Sequence, residues 1–264
     1  MKCMSKTEER ESRILQTLNQ GNKLSIEEVT AMLGISLSSA RRLFIKLEET
    51  GKYVRTHGGI HLVSPKGPEY SFDALESRNL SEKKQIARCA ADMIQDDDVV
   101  YLDSGTTLLQ MALAIKQRVS AHQLRGARFI TNSFANLLVL QGICPVILIG
   151  GEYHAGRKAF AGYPAERFVG QFLYKKSFLG ADGLVLDEGY MTTDTDTAKL
   201  NEVVMRRSDE SHVLLDSSKF GQRSFVSYAA VSEIGTLITD AGLTDVFAAA
   251  CIQKNMTLII AKAD

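Results

Sequence analysis

The stretch "VVYLDSGTTLLQMALAI", residues 99–115, decides how the larger part of the chain folds. An apolar run from Val99 to Leu102 ends in Asp103-Ser104-Gly105-Thr106-Thr107 and passes at once into a helix-like sequence. Strand, small polar loop, helix: this order leaves backbone N–H groups free at the helix start, where an anion can sit. Such a loop serves either an enzyme acting on a phosphorylated substrate or a protein that only senses one.

The same alternation repeats outward from it. A helix over 82–95 precedes a strand at 98–102, and the loop leads into a helix over 106–117. "RFITN" (128–132) reads as a strand, 133–141 as a helix, and "PVILIGG" (145–151) as a buried strand. "YPAERFVGQF" is helical and "KKSFLGADG" (175–183) a strand. A helix over 195–208 is followed by strands at 212–216 and 236–240, a helix over 244–254 and the strand "TLIIA". Repeated β–α alternation predicts an α/β domain with a mostly parallel sheet covered on both faces. Ligands in such sheets bind beyond the carboxyl ends of the strands. Those ends carry small and polar residues: Asp103 to Thr107, Thr131-Asn132-Ser133, Gly150-Gly151, Gly180-Ala181-Asp182-Gly183 and Asp216-Ser217-Ser218-Lys219. In any one loop they cap a helix or turn the chain; five on one edge point to a shared pocket. There Asp103 or Asp182 can accept from sugar hydroxyls and Lys219 can neutralise a phosphate.

The first sixty residues have another pattern. "SIEEVTAMLG" begins with Ser25 and has Glu28 three residues on, a capping box in which each side chain satisfies an orphan N–H. "ISLSSARRLFIKLEETG" then restarts a helix at Ser36, with Leu43, Leu47 and Ile35 on the core side. Two short helices joined by a turn containing Gly34 predict a helix-turn-helix. Its second helix carries Ser38, Ser39, Arg41 and Arg42 in the half that enters the major groove, and Lys46 further on. Arg bonds guanine bidentately and Ser reaches bases or phosphate. "KYVRTHGGIHLV" (52–63) alternates like a hairpin turning at Gly58-Gly59, a wing with Arg55 and His57 near its tip. Residues 1–63 hold ten basic and seven acidic side chains, a charge of +3 masked by the overall balance of zero. "SPKGPEYSFD" (64–73) has two of the four prolines. The expected organisation is a DNA-binding domain over 1–63, a linker over 64–80 and a sensor domain over 81–264.

Composition narrows the classes. Apolar residues make up 45% of the 264-residue chain and charged ones 23%, ordinary for a globular protein. Residues 1–12 lack the apolar core of a signal peptide. No apolar run approaches the ~20 residues of a membrane helix. Cys3, Cys89, Cys144 and Cys251 form no CxxC pair, which fits a reduced cytoplasm and no structural zinc. His57 and His61 are four apart in a strand-like segment, roughly 13 Å at ~3.3 Å per residue, too far to share an ion. No metal or cofactor is expected.

"GKYVRTHGGI" within Leu24 to Ile60 resembles the N-terminal domain of the DeoR/GlpR family of bacterial transcriptional regulators. The usual Ile-Arg-Arg-Asp-Leu of that family's recognition helix is here Ala40-Arg41-Arg42-Leu43-Phe44, so operator sequence does not transfer. "LDSGTT", "ITNS", "LIGG", "SFLGADGL", "GYMTTD" and "LLDSSKFG" follow in the order of the family's sensor domain. That domain is related to ribose-5-phosphate isomerase, glucosamine-6-phosphate deaminase and CoA transferases. The resemblance implies a phosphorylated-sugar effector lined by Asp103, Ser104, Gly105, Thr106, Thr107, Asn132, Gly150, Gly151, Asp182 and Lys219. It implies DNA contacts from Ser36, Ser38, Ser39, Arg41, Arg42, Lys46, Arg55 and His57. It implies as well a repressor of a carbohydrate-catabolic operon that the sugar phosphate releases.

Two other readings stand beside it. A sugar-phosphate isomerase needs a general base at the carbon-bound proton. The isomerase relatives carry Asp-Gly-Ala-Asp-Glu and Lys-Gly-Gly; here Leu179-Gly180-Ala181-Asp182-Gly183 keeps one of the three acids, and no Lys-Gly-Gly occurs. A deaminase needs a catalytic His loop, for which His154 is the nearest candidate. No catalytic residue is therefore expected. A winged-helix interaction module that does not bind DNA is the third reading, raised by the altered recognition helix. Because a winged helix reads one half-site, a homo-oligomer on operator DNA is expected.

Overall fold

The computed structural model describes residues 13–15, 17–18, 23–48, 53–56, 59–62, 70–254 and 256–262, without the side chains of residues 23, 53–56, 61 and 62. The chain divides into two units, Met1–Pro68 and Glu69–Asp264.

In the first unit β1 (Lys23–Ser25) leads into α1 (Ile26–Leu33) and α2 (Leu37–Glu48), followed by β2 (Tyr53–Thr56) and β3 (Gly59–Leu62). The expected capping box is formed: Glu28 N–H donates to Ser25 Oγ at 3.1 Å, and Ser25 N–H to Glu28 Oε2 at 2.7 Å. Val29 of α1 packs with Ala40, Leu43, Phe44 and Leu47 of α2 and with Ile60, Ile14, Leu18 and Leu24. The spacing of the α2 residues buries one stripe of that helix and turns the other outward. The strands make an antiparallel sheet in the order β1-β3-β2. Strand β1 has three residues, too few to show alternation, and exists through its pairing with β3. Gly59 is opposite Ser25 in that pairing, and a Cβ there would run into the Leu24 carbonyl. The second glycine of the wing is thus required by close approach.

The second unit begins inside the stretch expected to be a linker. Ser71 caps α3 (Phe72–Glu76), accepting from Ala74 N–H at 3.4 Å, and Phe72 is only 2% exposed. After it come α4 (Leu80–Asp92), β4 (Val99–Leu102), α5 (Thr106–Ser120), β5 (Arg128–Thr131), α6 (Phe134–Leu140) and β6 (Val146–Leu148). The hairpin β7 (Glu152–His154) and β8 (Ala159–Ala161) precedes α7 (Tyr163–Val169), β9 (Tyr174–Gly180), β10 (Gly183–Val185) and β11 (Gly189–Thr192). Then follow α8 (Thr195–Arg206), β12 (Ser208–Leu214), β13 (Val226–Ala229), β14 (Thr236–Asp240), α9 (Asp245–Gln253) and β15 (Thr257–Ala261).

Seven strands pair in parallel in the order β15-β14-β12-β9-β4-β5-β6. The run at 99–102 is apolar throughout because both faces are covered. Val100 and Leu102 join Ile86, Ala90, Met111 and Ile115 of α4 and α5. Tyr101 points the other way, among Val169, Ala198, Leu200 and Val204 of α7 and α8. Short antiparallel pieces, β10-β11-β13 and β7-β8, sit outside this sheet. One expectation is corrected: 145–151 is not a buried strand. Strand β6 spans three residues at the end of the strand order, and its Ile147 is exposed.

Candidate functional site

Strand β4 is the first of the large sheet in chain order, yet lies inside it, between β5 and β9. The chain builds outward from β4 in both directions, so the loops after β4 and β9 diverge there and leave a crevice at the carboxyl ends, the switch point where open α/β sheets bind ligands. It is lined by Asp103, Ser104, Gly105, Thr106 and Thr107 after β4, by Gly180, Ala181 and Asp182 after β9, and by Lys219. These expected effector residues are brought together. Asn132, Gly150 and Gly151 do not line the cleft. Asn132 Nδ2 donates to Phe160 O at 3.0 Å, and Gly151 packs against Ala161 and Ala165.

Gly105 is the N-cap of α5 with φ 126°, a conformation only glycine takes without strain. The backbone N–H groups that open α5 face the cleft with the positive end of its dipole. Ser104 Oγ, in a residue 4% exposed, has no hydrogen-bond partner among the described residues. Asp103 anchors the loop: Oδ1 accepts from Ser104 N–H at 2.7 Å, Oδ2 from Gly180 N–H at 3.1 Å and from Asn201 Nδ2 at 3.4 Å. Burial pushes its carboxyl up to about 6; the Gly180 and Ser104 N–H groups, Arg157 and Asn201 oppose the rise.

Several lining residues escaped the sequence reading. Arg157, in the β7–β8 loop, is buried and donates through Nη2 to Asp182 Oδ2 at 2.6 Å and Thr192 Oγ1 at 2.9 Å, and through Nε to Asp194 Oδ2 at 2.8 Å. Its Nη2 also donates to Thr193 Oγ1. Burial works against its charge, but Asp182 and Asp194 outweigh that and hold the guanidinium protonated. Burial likewise raises the Asp182 carboxyl, and Arg157 reverses this and holds it below its usual range. The "GYMTTD" motif thus supplies three partners of one arginine. Lys83 is buried on α4 and donates to the carbonyls of Leu75 and Arg78, at 2.5 Å each; burial lowers its pKa. Tyr70 also lines the cleft, with the Arg157 guanidinium carbon 4.1 Å from its ring centroid. Nothing in the local pattern of "AGRKAF" or "PEYSF" marks Arg157 or Tyr70, since their partners are distant in sequence.

On the first unit, Ser36, Ser38, Arg41, Arg42 and Lys46 are exposed and Ser39 is half-buried. Ser36 Oγ accepts from Ser39 N–H at 3.3 Å, as an N-cap does. Leu37 and Ile45, also exposed on α2, flank the arginines and were not anticipated. Apolar side chains there suit thymine methyl groups. His57 lies outside the described residues, and of Arg55 only the backbone, in β2, is described.

Residues 78–241 match the DeoR C terminal sensor domain, and residues 10–66 match the DeoR-like helix-turn-helix domain. The chain belongs to the DeoR family of transcriptional regulators. It is 31% identical over 236 residues to the HTH-type transcriptional regulator GlpR of Haloferax volcanii, covering 89% of this chain and 90% of that one. It is 32% identical over 231 residues to the lactose phosphotransferase system repressor of Lactococcus lactis subsp. lactis, covering 86% and 89%. Among solved structures, ribose 5-phosphate isomerase a from Methanocaldococcus jannaschii aligns with 52% of this chain and 53% of its own, at 18% identity and a TM-score of 0.40. The DeoR-family chain has no described helix long and apolar enough to cross a membrane.

Proposed function

We propose that this DeoR-family regulator represses a carbohydrate-catabolic operon and is released when a phosphorylated sugar enters the β4–β9 cleft. Residues 1–63 form the DNA-binding part and 81–264 the sensor, to which the second half of the 64–80 stretch also belongs. The single observation that carries the reading is the Asp103–Thr107 loop. It brings the N-terminus of a 15-residue helix, and a buried Ser104 hydroxyl with no hydrogen-bond partner among the described residues, to a cleft that also holds Lys219. Backbone N–H groups, helix dipole and a lysine suit a phosphate. The relative from Lactococcus named a lactose phosphotransferase system repressor supports a carbohydrate operon.

The carboxylates argue against an enzyme at this cleft. A general base must face the substrate with an oxygen to spare. Both oxygens of Asp103 accept from protein donors, and the ion pair of Asp182 Oδ2 with Arg157 holds that carboxylate below its usual range, which makes it a weak base. Both hold the site in shape.

A thermal-shift panel of sugar phosphates against the full chain tests the reading. One phosphorylated sugar should raise the melting temperature with the concentration dependence of RT ln(1 + [L]/Kd), while its unphosphorylated parent should not. Equal shifts from the pair would show that the anion is not what the cleft recognises.

A further inference from the structure

The cleft has a free volume of about 40 Å³. That admits a few waters, whereas small-molecule sites take ~300–1,000 Å³. Something must move before a sugar phosphate enters, and one side chain stands where its anion would go. The Tyr70 hydroxyl is 3.8 Å from the position of a Cβ on Gly105, the N-cap residue of α5. Its ring lies against the Arg157 guanidinium.

The backbone of this segment is fastened down as well. The Tyr70 carbonyl passes so near Gly156 that a Cβ there would stand 2.5 Å from it. Asp73 pairs with Lys158 at 2.6 Å, and Lys158 lies 4.8 Å from the centroid of the Phe72 ring. Residues 70–73 therefore form a strap across the cleft, held by the β7–β8 loop. The strap leaves the sensor two residues from Pro68, the last residue of the first unit.

We propose that Tyr70 is an internal competitor for the effector's anionic group, and that effector binding expels it from the α5 N-terminus and so releases the strap. This rests on the cleft being the phosphate site. The energetic requirement for a switch is met in kind, because the ligand binds the strap-open arrangement and not the strap-closed one. Displacement acts on the chain at the point where the first unit is attached. Opposing groups set the threshold: the Arg157 contact and the Lys158–Asp73 pair hold the strap shut, and the anion's bonds to the α5 N-terminus pull it open.

The full chain carrying 3-fluorotyrosine at position 70 only should be titrated with inorganic phosphate and followed by fluorine NMR. Wild type, Tyr70→Phe and Gly156→Ala should be titrated in parallel by calorimetry. Phosphate should shift the position-70 resonance. Tyr70→Phe, which removes only the competing oxygen, should bind phosphate between about two- and tenfold more tightly, the range one net hydrogen bond spans. Gly156→Ala, which pushes on the strap from outside the phosphate cradle, should also bind more tightly. Phosphate binding with an unmoved resonance and unchanged affinities in both variants would overturn the strap and leave the phosphate site standing. No phosphate binding by any of the three proteins would overturn both.

Discussion

Asp103 and Asp182 are two buried carboxylates in one cleft with opposite electrostatics. The folded pKa of Asp103 is about 6 against an ordinary 3.8, so the folded state holds its proton to higher pH than the unfolded chain does. Its contribution to stability is therefore greatest below about pH 4 and declines as pH rises to about 6. Asp182 is held below 3.8 by Arg157, so its contribution is present above that value and lost as pH falls below it. Urea unfolding of wild type and Asp103→Asn across this range should give a free-energy difference that falls by on the order of 2 kcal/mol between pH 4 and 6. The difference between wild type and Asp182→Asn should stay level there and shrink only in stronger acid. A flat Asp103 difference would mean that the carboxylate is solvated by water reaching the cleft. Neither shift was legible in "LDSGTT" or "GADG", because burial and Arg157 set both.

At the scale of elements, α2 is the part whose sequence says most. Its buried positions, Ala40, Leu43, Phe44 and Leu47, return at helical spacing and leave Ser38, Arg41, Arg42 and Ile45 on the outward stripe. Arg41→Ala with Arg42→Ala should weaken binding to operator DNA by roughly 1–3 kcal/mol for each of the two arginines that bonds a base, with folding unchanged since both side chains are exposed. Gel-shift affinity equal to wild type would remove α2 from the groove. The 15-residue α5 was readable because helix-forming residues run on for several turns, and β14 because its short apolar run stands between turn residues. The three-residue strands β1, β7, β8 and β10 were not, since so few residues carry no period and the pairing partner makes the strand. Part of the stretch 64–80 is α3, whose cue was Ser71 as cap and Phe72 as buried anchor beside a proline-rich run.

For the whole molecule, effector and DNA must be coupled through two states, typically by a factor of 5–150 in affinity. Gly105→Val fills the approach to the α5 N-terminus and lies outside residues 1–63. Free protein should then bind operator normally yet stay on it when the sugar phosphate from the thermal-shift panel is added. Because Gly105 has φ 126°, Lys219→Ala should be run beside it, as it removes a charge from the cleft without backbone strain. It should need more effector for release. Either variant, folded by circular dichroism and released at the wild-type concentration, would place the anion elsewhere.

What the sequence determined by itself is what local pattern encodes: parallel strands from apolar runs between helices, a helix-turn-helix from a capping box and two apolar stripes, and a small-residue loop between strand and helix. Each depends on neighbours within a few positions, so one chain segment suffices to show it. The tertiary structure decided the rest. Strand order put β4 inside the sheet and β6 at its edge, since no local period specifies which strand lies beside which. It also assembled Arg157 with Asp182, Thr192 and Asp194 across separations of 25 to 37 residues, and set Tyr70 over the α5 N-terminus. A buried charge or phenol is defined by what surrounds it, and those surroundings come from segments that meet only when the chain has folded.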